Sequence, residues 1–159
     1  MIQTILMIKT AAMLAGLNPF EANIMVGICH KENLFRNKTK WDVNSLSYGL
    51  CQIKAIAARD VGYKGDPNAL RDPFFNAYMA SKYFKKQIED KRNRTPYYNN
   101  SCNEKTKAVY GHAISAYNAG RLVNFNRDYV KDVKIRTACL VINTNKKDFY
   151  KCWHRERKK

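Results

Sequence analysis

The sequence predicts a mostly α, single-domain protein, and three observations predict it. Its 159 residues suit one hydrophobic core and leave little room for a second. Apolar residues recur three and four apart in several stretches, opened by capping residues or proline and closed in places by glycine. No stretch shows persuasive strand alternation. A content of 45% hydrophobic residues excludes global disorder, and 7 Gly with 4 Pro exclude a collagen-like or low-complexity chain.

The elements follow in order. Met1 to Gly16 reads as an amphipathic helix with Ile5, Ile8, Ala12 and Ala15 at helical spacing. Asn18-Pro19-Phe20-Glu21 combines an Asn cap, a proline at the first helical position and an acid at the third, so a helix runs from Pro19 to about Asn33. Arg36 to Ser47 is polar and aperiodic, a loop or short irregular ribbon. Leu50 to Val61 suits a short helix closed near Gly62. Asp72-Pro73 starts another, with Phe74, Ala77, Ser81, Phe84 and Ile88 along one face. Asp90 to Lys107 is the most polar stretch, containing Lys91-Arg92-Asn93-Arg94 and Tyr97-Tyr98-Asn99-Asn100, and reads as an exposed connection. Helices from about Glu104 to Ala119, ended by Gly120, and from Phe125 to Ile142 complete a domain spanning 1–142. Residues 143–159 read as a basic C-terminal tail.

Charge narrows the partner, not the reaction. With 29 Lys and Arg against 13 Asp and Glu the chain carries +16, which points to nucleic acid, anionic lipid or an acidic wall polymer. Ile5-Leu6-Met7-Ile8 is apolar, but Lys9 interrupts it and no basic segment precedes it, so no signal peptide is expected. No run of 18 apolar residues exists, so no transmembrane helix is expected either. The five cysteines (29, 51, 102, 139 and 152) form no Cys-x-x-Cys, and with only three histidines no metal site or cofactor is expected. They read as small buried thiols of a reducing compartment; a pair such as Cys102 with Cys139 or Cys152 stays open for a protein working outside it.

One acidic residue stands where an apolar one is due. Ile24 and Ile28 step by four to Glu32, and Met25 and Cys29 lead to the same position. Partial burial and the negative end of the helix dipole both disfavour its ionised form, which is what a general acid working near neutral pH needs. Gln52 stands among apolar neighbours in Ser47-Tyr48-Gly49-Leu50-Cys51-Gln52-Ile53, and Ala116-Tyr117-Asn118-Ala119-Gly120 gathers a phenol, an amide and a glycine at a helix end. Each segment alone is explained almost as well by a turn or a cap.

Their order is more telling. Glu32, then Gly49-Leu50-Cys51-Gln52-Ile53, then Ala116-Tyr117-Asn118-Ala119-Gly120 resembles the catalytic domain of soluble lytic transglycosylases and goose-type lysozymes. Leu70-Arg71-Asp72-Pro73-Phe74-Phe75-Asn76 with Tyr83-Phe84 resembles that family's Asp-Pro…Asn…Tyr-Leu helix, and the likeness spans about Ile8 to Val133. Departures are Asn33 in place of the usual Ser, Cys51 in place of Met, Lys54-Ala55 in place of Met-Pro, and Ala80 where Gly is frequent. The resemblance implies a lysozyme-like fold with a substrate cleft between helices. It implies an enzyme that cleaves the bond between N-acetylmuramic acid and N-acetylglucosamine in peptidoglycan.

By the same resemblance Glu32 is the single catalytic acid. It protonates the glycosidic oxygen, then takes a proton from the sugar's own 6-hydroxyl, leaving a 1,6-anhydro end. Ser45, Gln52, Ala116, Tyr117 and Asn118 fall to substrate contacts, and Tyr117 is expected to hydrogen-bond Glu32. Ordinary glycosidases need two carboxylates, about 5 Å apart for retention and roughly 6.5–9.5 Å apart for inversion. Asp42 is the candidate second acid, and Lys54 stands where some goose-type hydrolases carry an acid, so transglycosylation is favoured over hydrolysis. A nucleic-acid-binding module is the alternative from another class, supported by charge alone.

A small basic wall-lytic domain with no recognisable signal peptide resembles a bacteriophage endolysin, or a virion-associated lysin. It would accumulate in the host cytoplasm as a monomer and reach the wall after release. The stretch Lys131 to Lys159 holds ten Lys and Arg against three Asp and Glu, and its basic surface would meet anionic envelope polymers or lipopolysaccharide.

Overall fold

The computed structural model of the chain describes residues 1–42, 45–94, 102–119, 126–142 and 145–158, with backbone alone at 42, 91–94, 102–108 and 119. Helix α1 (Ile2–Leu14) packs against α2 (Pro19–Asn33) and α4 (Pro73–Arg94), while α2 also lies along α6 (Arg127–Ile142). Helix α5 (Cys102–Ala119) rests on α4 and α6. The short α3 (Ala55–Asp60) and a 3₁₀ turn (Pro67–Arg71) sit beside α4. Ile8, Met25, Ile28, Leu70, Phe84, Ile88, Ile114 and Val133 fill the core.

Helix α2 is the central element, and its sequence specifies both its start and its close fit. The Asn18 side chain accepts from the Glu21 N–H at 3.0 Å, and the Glu21 carboxylate accepts from the Asn18 N–H at 2.9 Å, so both ends of a capping box are present. At Gly27 a Cβ would stand 2.0 Å from Thr137 Oγ1 and 2.9 Å from the Val133 carbonyl, so only glycine lets α2 and α6 approach this closely. The helix ends at Leu34, whose left-handed backbone turns the chain outward.

Several expectations change. The polar stretch after α2 contains β1 (Lys40–Asp42) and β2 (Ser45–Tyr48), which join β3 (Ile53–Lys54) in an antiparallel sheet ordered β1-β2-β3. Strands of two to four residues are too short to show a two-residue period. The α3 helix starts later than its apolar run suggested, because residues 49–54 form a turn and β3 first. Helix α4 runs on to Arg94 and α5 begins at Cys102, so most of the polar connection is helical. The tyrosine-rich segment 97–100, the side chains of 91–94 and Gly120 lie outside the described residues.

Four cysteines are not thiols: Cys29 pairs with Cys51 and Cys139 with Cys152. The first bond joins α2 to the turn before β3. The second joins α6 to α7 (Lys146–Arg157), the helix formed by the basic C-terminal stretch. That helix is capped by Asn145, whose side chain accepts from the Asp148 N–H at 2.9 Å. It buries Phe149 completely against the His30 ring of α2. Sequence spacing could not choose these pairs, since two residues far apart on the chain become neighbours only through the packing of α2, α6 and the sheet.

Candidate active site

The end of α2 and the turn before β3 meet at a cleft of about 410 Å³ that Glu32, Gln52, Tyr117 and Asn118 all line. Ser47, Lys54, Ile56, Asp60 and Tyr83 complete much of its wall. Four of the residues picked out by sequence are thus brought together from three separate segments. Ala116 is buried at 1% exposure and does not line the cleft. Ser45 pairs with Asp42 at the far end of the ribbon, and it is Ser47, opposite Lys54, that reaches the lining. The Asp42 side chain lies outside the described residues.

Glu32 is half-buried, and the Tyr129 hydroxyl donates to its Oε1 at 2.5 Å. This replaces the expected partner: the Tyr117 hydroxyl instead donates to the Cys51 carbonyl at 2.9 Å. Tyr117 sits on α5 facing the turn, whereas Tyr129 rises from α6, the helix packed along α2. Burial, and then the nearby Glu32 carboxylate, push both phenols well above the ordinary tyrosine range, so both remain neutral donors. Nothing local in Arg127-Asp128-Tyr129-Val130 marks this tyrosine, which lies 97 residues from Glu32.

The turn that carries Gln52 is shaped by amides. Gly49 has φ +70°, and a Cβ there would meet Asn76 Nδ2 at 2.4 Å and the Leu70 carbonyl at 2.9 Å, so conformation and space both require glycine. Asn76 is fully buried. Its Nδ2 donates to the Tyr48 and Leu70 carbonyls at 2.7 and 2.8 Å, and its Oδ1 accepts from the Cys51 N–H at 2.9 Å. Asn33 donates to the carbonyls of Arg36, Lys38 and Gly49, so the amide found where Ser is usual ties the loop after Glu32 to the turn. Gln52 itself has φ +51°, and its Nε2 donates to the Lys38 and Gly49 carbonyls at 2.6 and 2.7 Å. Both amide hydrogens are taken, which leaves its carbonyl oxygen for a ligand.

The opposite wall is aromatic and charged. Tyr83 and Tyr117 have ring centroids 5.8 Å apart and form the floor of this wall, each ring largely buried. Burial, then Asp60 and Asp90, raise the Tyr83 pKa. Asp60 is a second carboxylate on the cleft that the sequence reading missed. Lys86 Nζ stands 2.6 Å from its Oδ1 and also donates to its backbone carbonyl. Among the described residues no three His, Cys, Asp or Glu side chains gather as a metal ion would need.

The sequence matches the Transglycosylase SLT domain over residues 15–138. The chain belongs to that family. Its mostly helical single domain is the lysozyme-like SLT fold. An SLT domain is a glycosidase-type enzyme, transglycosylase or lysozyme-like, and its substrate is peptidoglycan. No curated protein and no solved structure matches the sequence significantly. Among the described residues no helix of this SLT domain is long and apolar enough to cross a membrane.

Proposed function

We propose that this SLT domain is a lytic transglycosylase, cutting the β-1,4 bond between N-acetylmuramic acid and N-acetylglucosamine. The observation that carries the reading is Glu32 at the cleft with a neutral phenol fixed on one carboxyl oxygen. Tyr129 on Oε1 holds the rotamer of the carboxyl that carries the transferable proton. Glu32 gives that proton to the glycosidic oxygen as the C1–O bond breaks. The muramic 6-hydroxyl then attacks C1 and returns its proton to Glu32, closing the 1,6-anhydro ring. The Gln52 carbonyl oxygen, Asn118 and Ser47 orient the sugars.

Asp60 favours a second reading, a lysozyme-like hydrolase in which a second carboxylate directs water. Its tight pairing with Lys86 supports a structural role instead. Digestion of purified peptidoglycan followed by mass spectrometry separates the two: anhydro ends, lighter by one water, support transglycosylation, and reducing ends support hydrolysis. Glu32→Gln should lower either activity by about a thousandfold or more with its melting temperature unchanged; a variant that still clears walls refutes the assignment. Asp60→Asn should leave anhydro product formation intact.

We further propose that the protein acts as a phage lysin, made in the host cytoplasm and active at the wall. Two disulfides support a working site in an oxidising space, where such bonds persist. Its basic surface suits anionic envelope polymers, and replacing the exposed Lys146, Lys147 and Lys151 of α7 by Gln should weaken wall binding and its dependence on salt while leaving the fold intact.

A further inference from the structure

A second hollow, of about 600 Å³, opens beside the Glu32 cleft. Asn118 lines both, and Tyr129, whose hydroxyl rests on Glu32, lines the second. Its chemistry differs from that of the cleft. Among the described residues it sets Lys31, Lys131 and Arg157 against Asp128 and Asp132, where the cleft sets Lys54 against Glu32 and Asp60. The described lining of the cleft is thus the more acidic, and that of this hollow the more basic, with the amides of Asn118 and Asn126 beside its cations.

Arg157 comes from the last turn of α7, beyond the residues 15–138 that match the family. Three contacts fix that helix in place: the Cys139–Cys152 bond, the buried Phe149, and the Trp153 indole N–H donating to Asp132 at 2.9 Å. The exposed Arg157 guanidinium lies 5.2 Å from the centre of the Trp153 ring, a cation–π contact that favours this placement of its head. Lys31 and Asp132 largely neutralise each other at 2.7 Å. What remains toward a ligand is Lys131 and Arg157 against Asp128, with Asn118 and Asn126 as further donors.

We infer that this hollow is a carboxylate-recognising subsite, completed by α7, for the acidic peptide that hangs from muramic acid. The inference rests on the transglycosylase reading above, because only then does a peptide-bearing sugar lie beside Asn118 and Tyr129. A guanidinium and an ammonium converging on one hollow give a carboxylate the charge-assisted donors that neutral sugar hydroxyls do not need. Asp128 at the same hollow suits a peptide that also carries an amino group.

The test compares glycan strands bearing their peptides with the same strands stripped by an amidase, using the full chain. Wild type should have a KM several-fold lower on peptide-bearing strands. Arg157→Gln with Lys131→Gln should raise that KM about tenfold, keep kcat within twofold, and leave stripped strands unaffected. Arg155→Gln, an exposed charge of α7 outside the hollow, should change neither KM. An equal effect on both substrates, or none, overturns the inference. So does a loss seen only with whole walls carrying other anionic polymers. Failure of wild type on both substrates would instead refute the enzymatic reading itself.

Discussion

Asn33, Gln52 and Asn76 hold the cleft side of the molecule by giving amide hydrogens to backbone carbonyls, whereas Lys31, Asp132 and Arg136 hold the α6 side with charge, Arg136 reaching the neutral ring of His30. On the α6 side Asp132 sits at the centre. Burial pushes its pKa up, but hydrogen bonds from Lys31, Trp153 and Arg136 outweigh that and lower it. Arg136 stacks on Trp153 at 4.5 Å and donates through Nη1 to His30 Nδ1 at 2.7 Å. A guanidinium can only donate, so Nδ1 accepts and the ring proton sits on Nε2. Burial, then Arg136, lower the His30 pKa to about 4, while Asp132 opposes them. Neutral amides do not titrate, so the geometry around Gln52 should be indifferent to pH, and acid should be felt first where α2 meets α6 and α7.

The largest test of this contrast is Asn76→Ala. It strips the Tyr48 and Leu70 carbonyls and the Cys51 N–H of partners in a buried site, and should cost about 4 kcal/mol at any pH, read by denaturant unfolding. A cost that varied strongly with pH would break the comparison.

The disulfides come next, one on each side. Removing Cys29–Cys51 or Cys139–Cys152, which close 22- and 13-residue separations, should each cost about 3 kcal/mol. Only the first should also lower kcat, since it ties the Glu32 helix to the Gln52 turn.

Smaller again is the acid effect on the charged side. The folded pKa of His30 lies below its ordinary 6.5, so the folded state binds this proton less readily than the unfolded chain. Stability is therefore full above pH 6.5 and is lost as pH falls toward 4, by about 2 kcal/mol between pH 7 and 5. Asp132, lowered from 3.8, adds a further loss only at still lower pH. His30→Gln should flatten the slope above pH 4; an unchanged slope would assign it to another group.

The two tyrosines give the smallest effects and divide them cleanly. Tyr117→Phe deprives the Cys51 carbonyl of its hydroxyl and should cost about 1 kcal/mol of stability. Tyr129→Phe should instead lower kcat about tenfold by removing the hydroxyl that positions the Glu32 carboxyl. A swap of these outcomes would mean that Tyr117 is the residue that positions Glu32.

The contrast also explains what was legible in the sequence. The start of α2 was readable to the residue, because Asn18, Pro19 and Glu21 act on one another over three positions. The bend of the chain at Gly49 was only half readable: its glycine stands in the sequence, but the need for it comes from Asn76 and Leu70, more than twenty residues on. Glu32, Gln52, Tyr117 and Asn118 were legible because each interrupts a local pattern or carries a family motif. Tyr129, Asp60 and the cysteine pairs were not, since each owes its place to packing between helices. Arg136 and His30 also gave no local sign, being a charge and a ring inside otherwise ordinary helices.

The Cys29–Cys51 bond makes residues 29–51 a closed covalent ring, with Glu32 and the whole β1–β2 ribbon inside it. A protease that cut the exposed Trp41 edge of that ribbon would open the ring without parting the chain. The nicked molecule would be a two-chain enzyme, its acid still tethered to Gln52. On a gel it would run as one band until a reductant split it in two.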